Sequence, residues 1–376
     1  MREITLIKLY LDKYRCLLSI QALTVNPPNK GVVMKKMLLS VSALLMVFII
    51  TAEAQTVEKP KKLESATGIG QLHITEWLVP WEGRPRDPYV APDGNIYFVG
   101  QRLHYVGHFD IESAEFKRMD LEDGAGPHNV IVASDGTPWY AGNLANHIGK
   151  LDPSTGEITK FMMPDDNSAR DPHTLVFNKD GNIWFSSQGA NSIGFFNVTT
   201  GQPTIMPVER PRSRPYGVVM APDMERPWYV LFGTNRLATV DPVTMQKTEI
   251  DLPREETRPR RLEVTNDGRV WYGDYARGYI GVYNPADGSI KEWEMPEGRD
   301  ARPYAMAKDH LGRLWMVASG IQPNRFVGFD PATETFFSSQ EIPSGGGTVR
   351  HMVYDEATKS FWFGTDTNYI GRATLR

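Results

Sequence analysis

Cysteine is almost absent from the 376 residues: the single one, Cys16, lies ahead of a leader-like segment. The chain beyond that segment can therefore form no disulfide and offers no thiol chemistry. Long apolar runs are equally scarce. The one stretch without charge or interruption is Met37 to Ile50, short of the roughly 20 residues a membrane span needs. Helical periodicity is missing from everything that follows it, which excludes a helical bundle or an α/β fold. There is no cationic excess either: the net charge is −4, and no Lys/Arg run marks a membrane-binding face.

Residues 34–54 read MKKMLLSVSALLMVFIITAEA. Lys35 and Lys36 form a positive start, the apolar run follows, and Ala52-Glu53-Ala54 is an A-x-A cleavage signal. The reading is an upstream extension over 1–33, a signal peptide over 34–54, a linker over 55–71 and one folded domain over 72–376. Cleavage before Gln55 sends the protein to the periplasm or the medium, with no membrane partner afterwards. Removing the 7 basic and 3 acidic residues of positions 1–54 leaves 34 and 42, a net charge of −8. That excludes nucleic acid as a partner. A monomer acting on a small-molecule substrate is expected.

What is present is a repeat. Short aromatic-centred strands recur around Tyr97, Trp139, Trp184, Trp228, Trp271, Trp315 and Trp362, at spacings of 42 to 47 residues. Each unit opens with a hydrophobic run ending at Asp-Gly or an equivalent, as in PHTLVFNKDG (172–181), which suits a tight turn. The aromatic strand, a polar loop and a third strand such as NSIGFFN (191–197) follow. A second turn such as DPSTG (152–156) leads to an alternating strand such as IKEWEMP (290–296). Four short antiparallel strands per unit, seven times over, predict an all-β, seven-bladed β-propeller. The region starts on a fourth-type strand, ITEWLVP (74–80), and ends on a third-type strand, YIGRATL (369–375). The first should therefore pair into the last blade and close the ring, which leaves no open edge.

Counting back eleven residues from each key aromatic, twelve in the fourth unit, reaches the start of each first strand, which lines a propeller's channel. The seven positions hold Arg86, His128, His173, Tyr216, Arg260, Tyr304 and His351, and a proline precedes the first six. Three of the eight histidines in the chain fall on these equivalent places. Such a set suits ligand binding or proton transfer at the channel mouth; hydrogen-bonded filler is the alternative. Arg86 and Arg260 offer fixed positive charge to a carboxylate, an enolate or another oxyanion. Asp274 and Asp366 are the carboxylates just behind the key aromatics. With the imidazoles they can hold a hard divalent cation such as Mg²⁺, or each can be a plain turn residue.

These repeats resemble the virginiamycin B lyase (streptogramin lyase) family, seven-bladed propellers of the pattern P-[HY]-G-I…D-G…W-F-T-E…N-x-I-G-R-I…G-x-I-T-E-[FY]-x-[LI]-P. The matching stretches are RPYGVVMAPD (214–223), DGNIWFSSQGANSIG (180–194), NHIGKLDPSTGEITKF (146–161), YIGR (369–372) and ITEWLVP (74–80). The resemblance covers about residues 72–376 and implies opening of a cyclic depsipeptide by elimination. In that scheme a histidine removes a proton and Mg²⁺ steadies the developing charge. His351 falls at the family's last-blade histidine, with Val349 and Arg350 in place of a Glu-Pro pair. Tyr304 stands where the sixth blade has its histidine, and Asp366 best matches the last-blade carboxylate. His128 and His173 extend the candidate chemistry to other blades. The first expectation is a metal-assisted lyase on an ester or lactone. The others are a gluconolactonase-like hydrolase and a non-catalytic small-ligand-binding propeller.

Overall fold

The turns are chemically fixed. In the first repeat Pro85–Val90 reverses into Ile96–Gly100 over Ala91-Pro92-Asp93-Gly94. Gly94 takes φ +87°, its N–H donates to the Ala91 carbonyl at 2.9 Å, and Asp93 Oδ1 accepts the Asn95 N–H at 3.0 Å. A glycine adopts that φ without strain. The outer turns use a carboxylate instead. Asp152 Oδ1 accepts the N–H groups of Ser154 and Thr155 at 2.8 and 3.2 Å, so the chain reverses without leaving donors bare.

The structure is a computed structural model and describes residues 60–64 and 71–376. The upstream extension and the leader read from the sequence lie outside the described residues. Seven antiparallel sheets form, six of them with four strands. Their first strands touch their neighbours in a closed circle, the seventh against the first, and enclose a channel. Among the described residues the one helical turn is 3-10, Gly298–Ala301, and no helix is long and apolar enough to cross a membrane.

The apolar interior lies between adjacent blades. Trp184, Trp271, Trp315 and Trp362 are fully buried, and Trp271 stacks on Trp293 of its own outer strand at 5.7 Å. Side chains of this kind each contribute about 2–3 kcal/mol by leaving water. The third strand makes room for the second-strand rings. Phe185 pairs with Gly194, where an added Cβ would collide with the Phe185 ring.

Closure follows the expected logic with a shifted register. Leu72–Leu78 pairs along Tyr369–Leu375, from Leu72↔Leu375 to Leu78↔Tyr369. The strand runs 72–78 rather than 74–80, and Pro80, just past its end, has no N–H to extend the ladder. Outside it lies a fifth strand, Lys62–Glu64, paired to Leu72–Leu78 within the segment read as a linker. Three residues are too few for a visible alternation. The exposed Lys62 and Glu64 put charge on this outer edge.

Candidate functional site

Six of the seven first strands break their ladder near the end that carries the ring residues. In the third blade Pro172 pairs with Ser187, and pairing resumes only at Leu175↔Phe185. The same slip occurs after Pro127, Pro215 and Pro303, between Arg86 and Tyr89 in the first blade, and between Pro259 and Arg261 in the fifth. A proline at the first strand residue loses no ladder bond. The bulge then interrupts side-chain alternation. In blades one, three and five, two successive residues turn toward the channel.

The second of each pair was not among the sequence candidates. Asp87 is fully buried, at φ +45°. Its Oδ1 accepts Arg86 Nε at 3.0 Å, and its Oδ2 lies 3.3 Å from NH2 of Arg261. Arg261 spans the channel: NH1 reaches Thr174 Oγ1 at 3.3 Å and Nε donates to the Arg350 carbonyl at 3.1 Å. One guanidinium thus ties blade five to blades one, three and seven. Gly217 leaves its passage open, since a Cβ there would stand 3.0 Å from the Arg260 carbonyl and 3.3 Å from Arg261 Cδ. A readable signal existed. Asp87 and Arg261 are opposite charges at equivalent places where the other blades carry Asn129, Thr174, Gly217, Ala305 and Met352.

Six of the seven ring residues gather above this bridge. The His128 and His173 rings lie 3.4 Å apart, and His173 leans on Tyr216 at 4.2 Å. The Tyr216 and Tyr304 hydroxyls share a short hydrogen bond, and Arg260 NH2 donates to Tyr304 Oη at 2.9 Å. The Arg260 guanidinium is caged by Tyr304, Tyr275 and Phe232, at 3.8, 4.2 and 4.6 Å from the ring centres. Arg86 NH1 donates to Gln101 at 2.8 Å. Its NH2 and the Arg260 Nε are shielded from solvent and have no partner.

Charge sets the protonation here. Burial pushes the Asp87 carboxyl up, but the Arg86 and Arg261 cations hold it well below the usual range. Burial, then neighbouring cations, push His128 and His173 far down, so both rings are neutral near pH 7. His128 Nδ1 lies 3.9 Å from Asp87, beyond hydrogen-bond reach. Burial raises the Tyr216 phenol, yet Arg260, Arg261 and Arg86 together outweigh it and bring it below its ordinary value. Tyr304 is raised by burial and by the charge of Tyr216.

The remaining candidates lie apart. His351 borders a cavity at the other end of the channel, and burial followed by the Arg261 cation lowers it to about 3. Asp274 accepts the N–H groups of Arg258, Ala276 and Arg277 at 3.0, 3.1 and 3.3 Å and pairs with the Arg277 side chain at 3.1 Å. Asp366 sits on the rim between Arg84, at 2.9 Å, and Arg350, whose NH2 is at 2.7 Å. Among the described residues no three of His, Cys, Asp or Glu converge as a metal would require.

The family model for virginiamycin B lyases matches residues 69–322. Among solved structures, a streptogramin B lyase is similar with a TM-score of 0.73 and 22% identity, covering 83% of this chain and all (100%) of its own. Virginiamycin B lyase from Staphylococcus aureus gives a TM-score of 0.73 at 20% identity, covering 81% and 100%. The hydrazine synthase of Kuenenia stuttgartiensis gives 0.64 at 14%, covering 79% and 98%. At these identities the structural likeness is one of fold. No curated protein matches the chain.

Proposed function

This chain belongs to the virginiamycin B lyase family, and from that premise we propose that it opens an ester or lactone of a small molecule by elimination at the upper channel mouth. One observation carries the reading. Arg86 and Arg261 share one carboxylate, Asp87, Arg260 stands against Tyr304, and Arg86 and Arg260 keep buried N–H groups without a partner. Such a centre favours negative charge that develops during reaction.

The chemistry needs a base and an oxyanion site. Tyr216, whose ionised form Arg260, Arg261 and Arg86 favour, takes the proton α to a carbonyl. The electron pair forms the new double bond, the C–O bond at the β carbon breaks, and the carboxylate leaves. Arg260 and Arg86 hold the enolate-like oxygen, and Tyr304 donates to Tyr216 as its charge comes and goes. His351, at about 3, is too weak a base to be matched to neutral pH.

The residues present do not fit a Mg²⁺ site. Asp366 is committed to two arginines and Asp274 to backbone donors and Arg277, so no step here is routed through a metal. Export is part of the same proposal and rests on the leader signals at 34–54.

A panel of lactones and cyclic esters tests the reading by product mass. Elimination opens a ring without changing its mass and leaves an unsaturated product, whereas hydrolysis adds a water. The expected result is an unsaturated product of unchanged mass, with turnover reduced about 10²- to 10⁴-fold in Tyr216→Phe. Incorporation of water, or full turnover in Tyr216→Phe, would contradict it.

A further inference from the structure

Beneath the Asp87–Arg261 bridge the channel widens into a second cavity of about 360 Å³, the size of a small-molecule site. Its walls come from the places three residues beyond the ring on the same strands. Blades one to four supply Tyr89, Ile131, Val176 and Val219. Blades five to seven supply Glu263, Ala307 and Tyr354. Methionines 220, 224, 306 and 352 add soft, adaptable surface.

The polar groups of this wall are mostly engaged. Glu263 is paired with Lys308 at 2.9 Å. The Tyr354 hydroxyl meets His310 Nδ1 at 2.6 Å, and Asp309 Oδ2 accepts from Arg313 and Trp315 at 2.8 and 3.1 Å. Asn129 Oδ1 accepts the Leu175 N–H at 3.0 Å, and Glu356 stands at the exposed rim. His351 differs: it lines the cavity, and its Nδ1 is shielded from solvent with no hydrogen-bond partner. A charged guest would lose its hydration against valine and methionine, and Glu263 and Lys308 already satisfy each other.

We propose that this lower cavity is a second binding site, for a neutral and mainly apolar small molecule whose single hydroxyl group pairs with His351 Nδ1. A neutral imidazole nitrogen serves a hydroxyl in either role, as donor or as acceptor. The site is separate from the upper mouth, because the buried bridge of Asp87 and Arg261 lies between them.

Fluorescence titration of the full chain with naphthol, and with naphthalene as the analogue lacking the hydroxyl, tests this. The expected result is saturable naphthol binding, about three- to tenfold tighter than naphthalene. Ala307→Phe, which fills the cavity, should abolish it. Val219→Phe serves the same purpose if the first variant fails to fold by thermal melting. In His351→Phe the preference for naphthol over naphthalene should vanish. Non-saturable binding, undiminished binding in a folded cavity-filling variant, or an unchanged preference in His351→Phe would each overturn the proposal. So would loss of naphthol binding in Arg260→Met, which would put the probe at the upper mouth.

Discussion

Seven equivalent strand positions hold two arginines, three histidines and two tyrosines, and all but His351 gather at the upper end of the channel. Three residues further along the same strands, the equivalent positions hold six uncharged residues and one glutamate. The two ends share their blades and their symmetry, and the bulge divides them. Above it, alternation is broken and successive side chains crowd inward, so fixed charges are forced together out of water. Below it, the ladder is regular and the lining is apolar. Chemistry that depends on strained, desolvated charge belongs at the first end, and adaptable apolar binding at the second.

The difference should appear first as stability. Asp87→Asn leaves Arg86 and Arg261 buried without their counter-charge. Breaking a buried pair in this way typically costs about 3–5 kcal/mol, and urea unfolding should show a loss of that order. The acid limb follows with a definite sign. Asp87 is depressed in the folded protein, so its contribution is complete above the unfolded value of about 4 and fades as pH falls below it. The wild type should lose stability progressively under those conditions, and Asp87→Asn should lose less. An Asn variant as stable as wild type would remove the asymmetry between the two ends.

A smaller effect is expected where the upper end is only crowded. Gly217→Ala sets a Cβ against the Arg260 carbonyl and the Arg261 stem, and overpacking of this kind costs about 1–3 kcal/mol. Thermal melting should register it, with weaker anion binding as Arg261 is displaced. The smallest effect belongs to the lower end. Glu263 and Lys308 are 14% and 32% exposed, so Glu263→Gln should cost about 0–1 kcal/mol. If that change proved as damaging as Asp87→Asn, the lower end would be as dependent on charge as the upper.

The fold was legible because most blades repeat their turn chemistry: Gly94 and Asp152 do locally what the pattern requires. The ring was legible too, since a count of eleven from the aromatics, twelve in the fourth blade, reaches six residues that do converge. Asp87 and Arg261 were passed over despite their opposite charges at equivalent places, because period-two reasoning sends the residue after a channel position between the blades. The bulges that redirect these two leave no composition signature. Asp274 and Asp366 failed to meet for the opposite reason. Their loops offer backbone N–H groups and arginines close by, and a carboxylate takes the nearest donors. The Lys62–Glu64 strand was invisible because its partner, not its own sequence, makes it a strand.

The most direct test of the central claim, that the upper mouth is built to hold an oxyanion, is calorimetric titration of a small dicarboxylate such as malonate. Wild type, Arg260→Met and Glu263→Gln should be compared at fixed low salt. The account predicts saturable binding to wild type and to Glu263→Gln that weakens as salt is added. In Arg260→Met the affinity should fall about 10- to 100-fold, as for loss of a charge-assisted hydrogen bond. Binding that is unchanged in Arg260→Met, or no saturable heat with folded wild type, would contradict it.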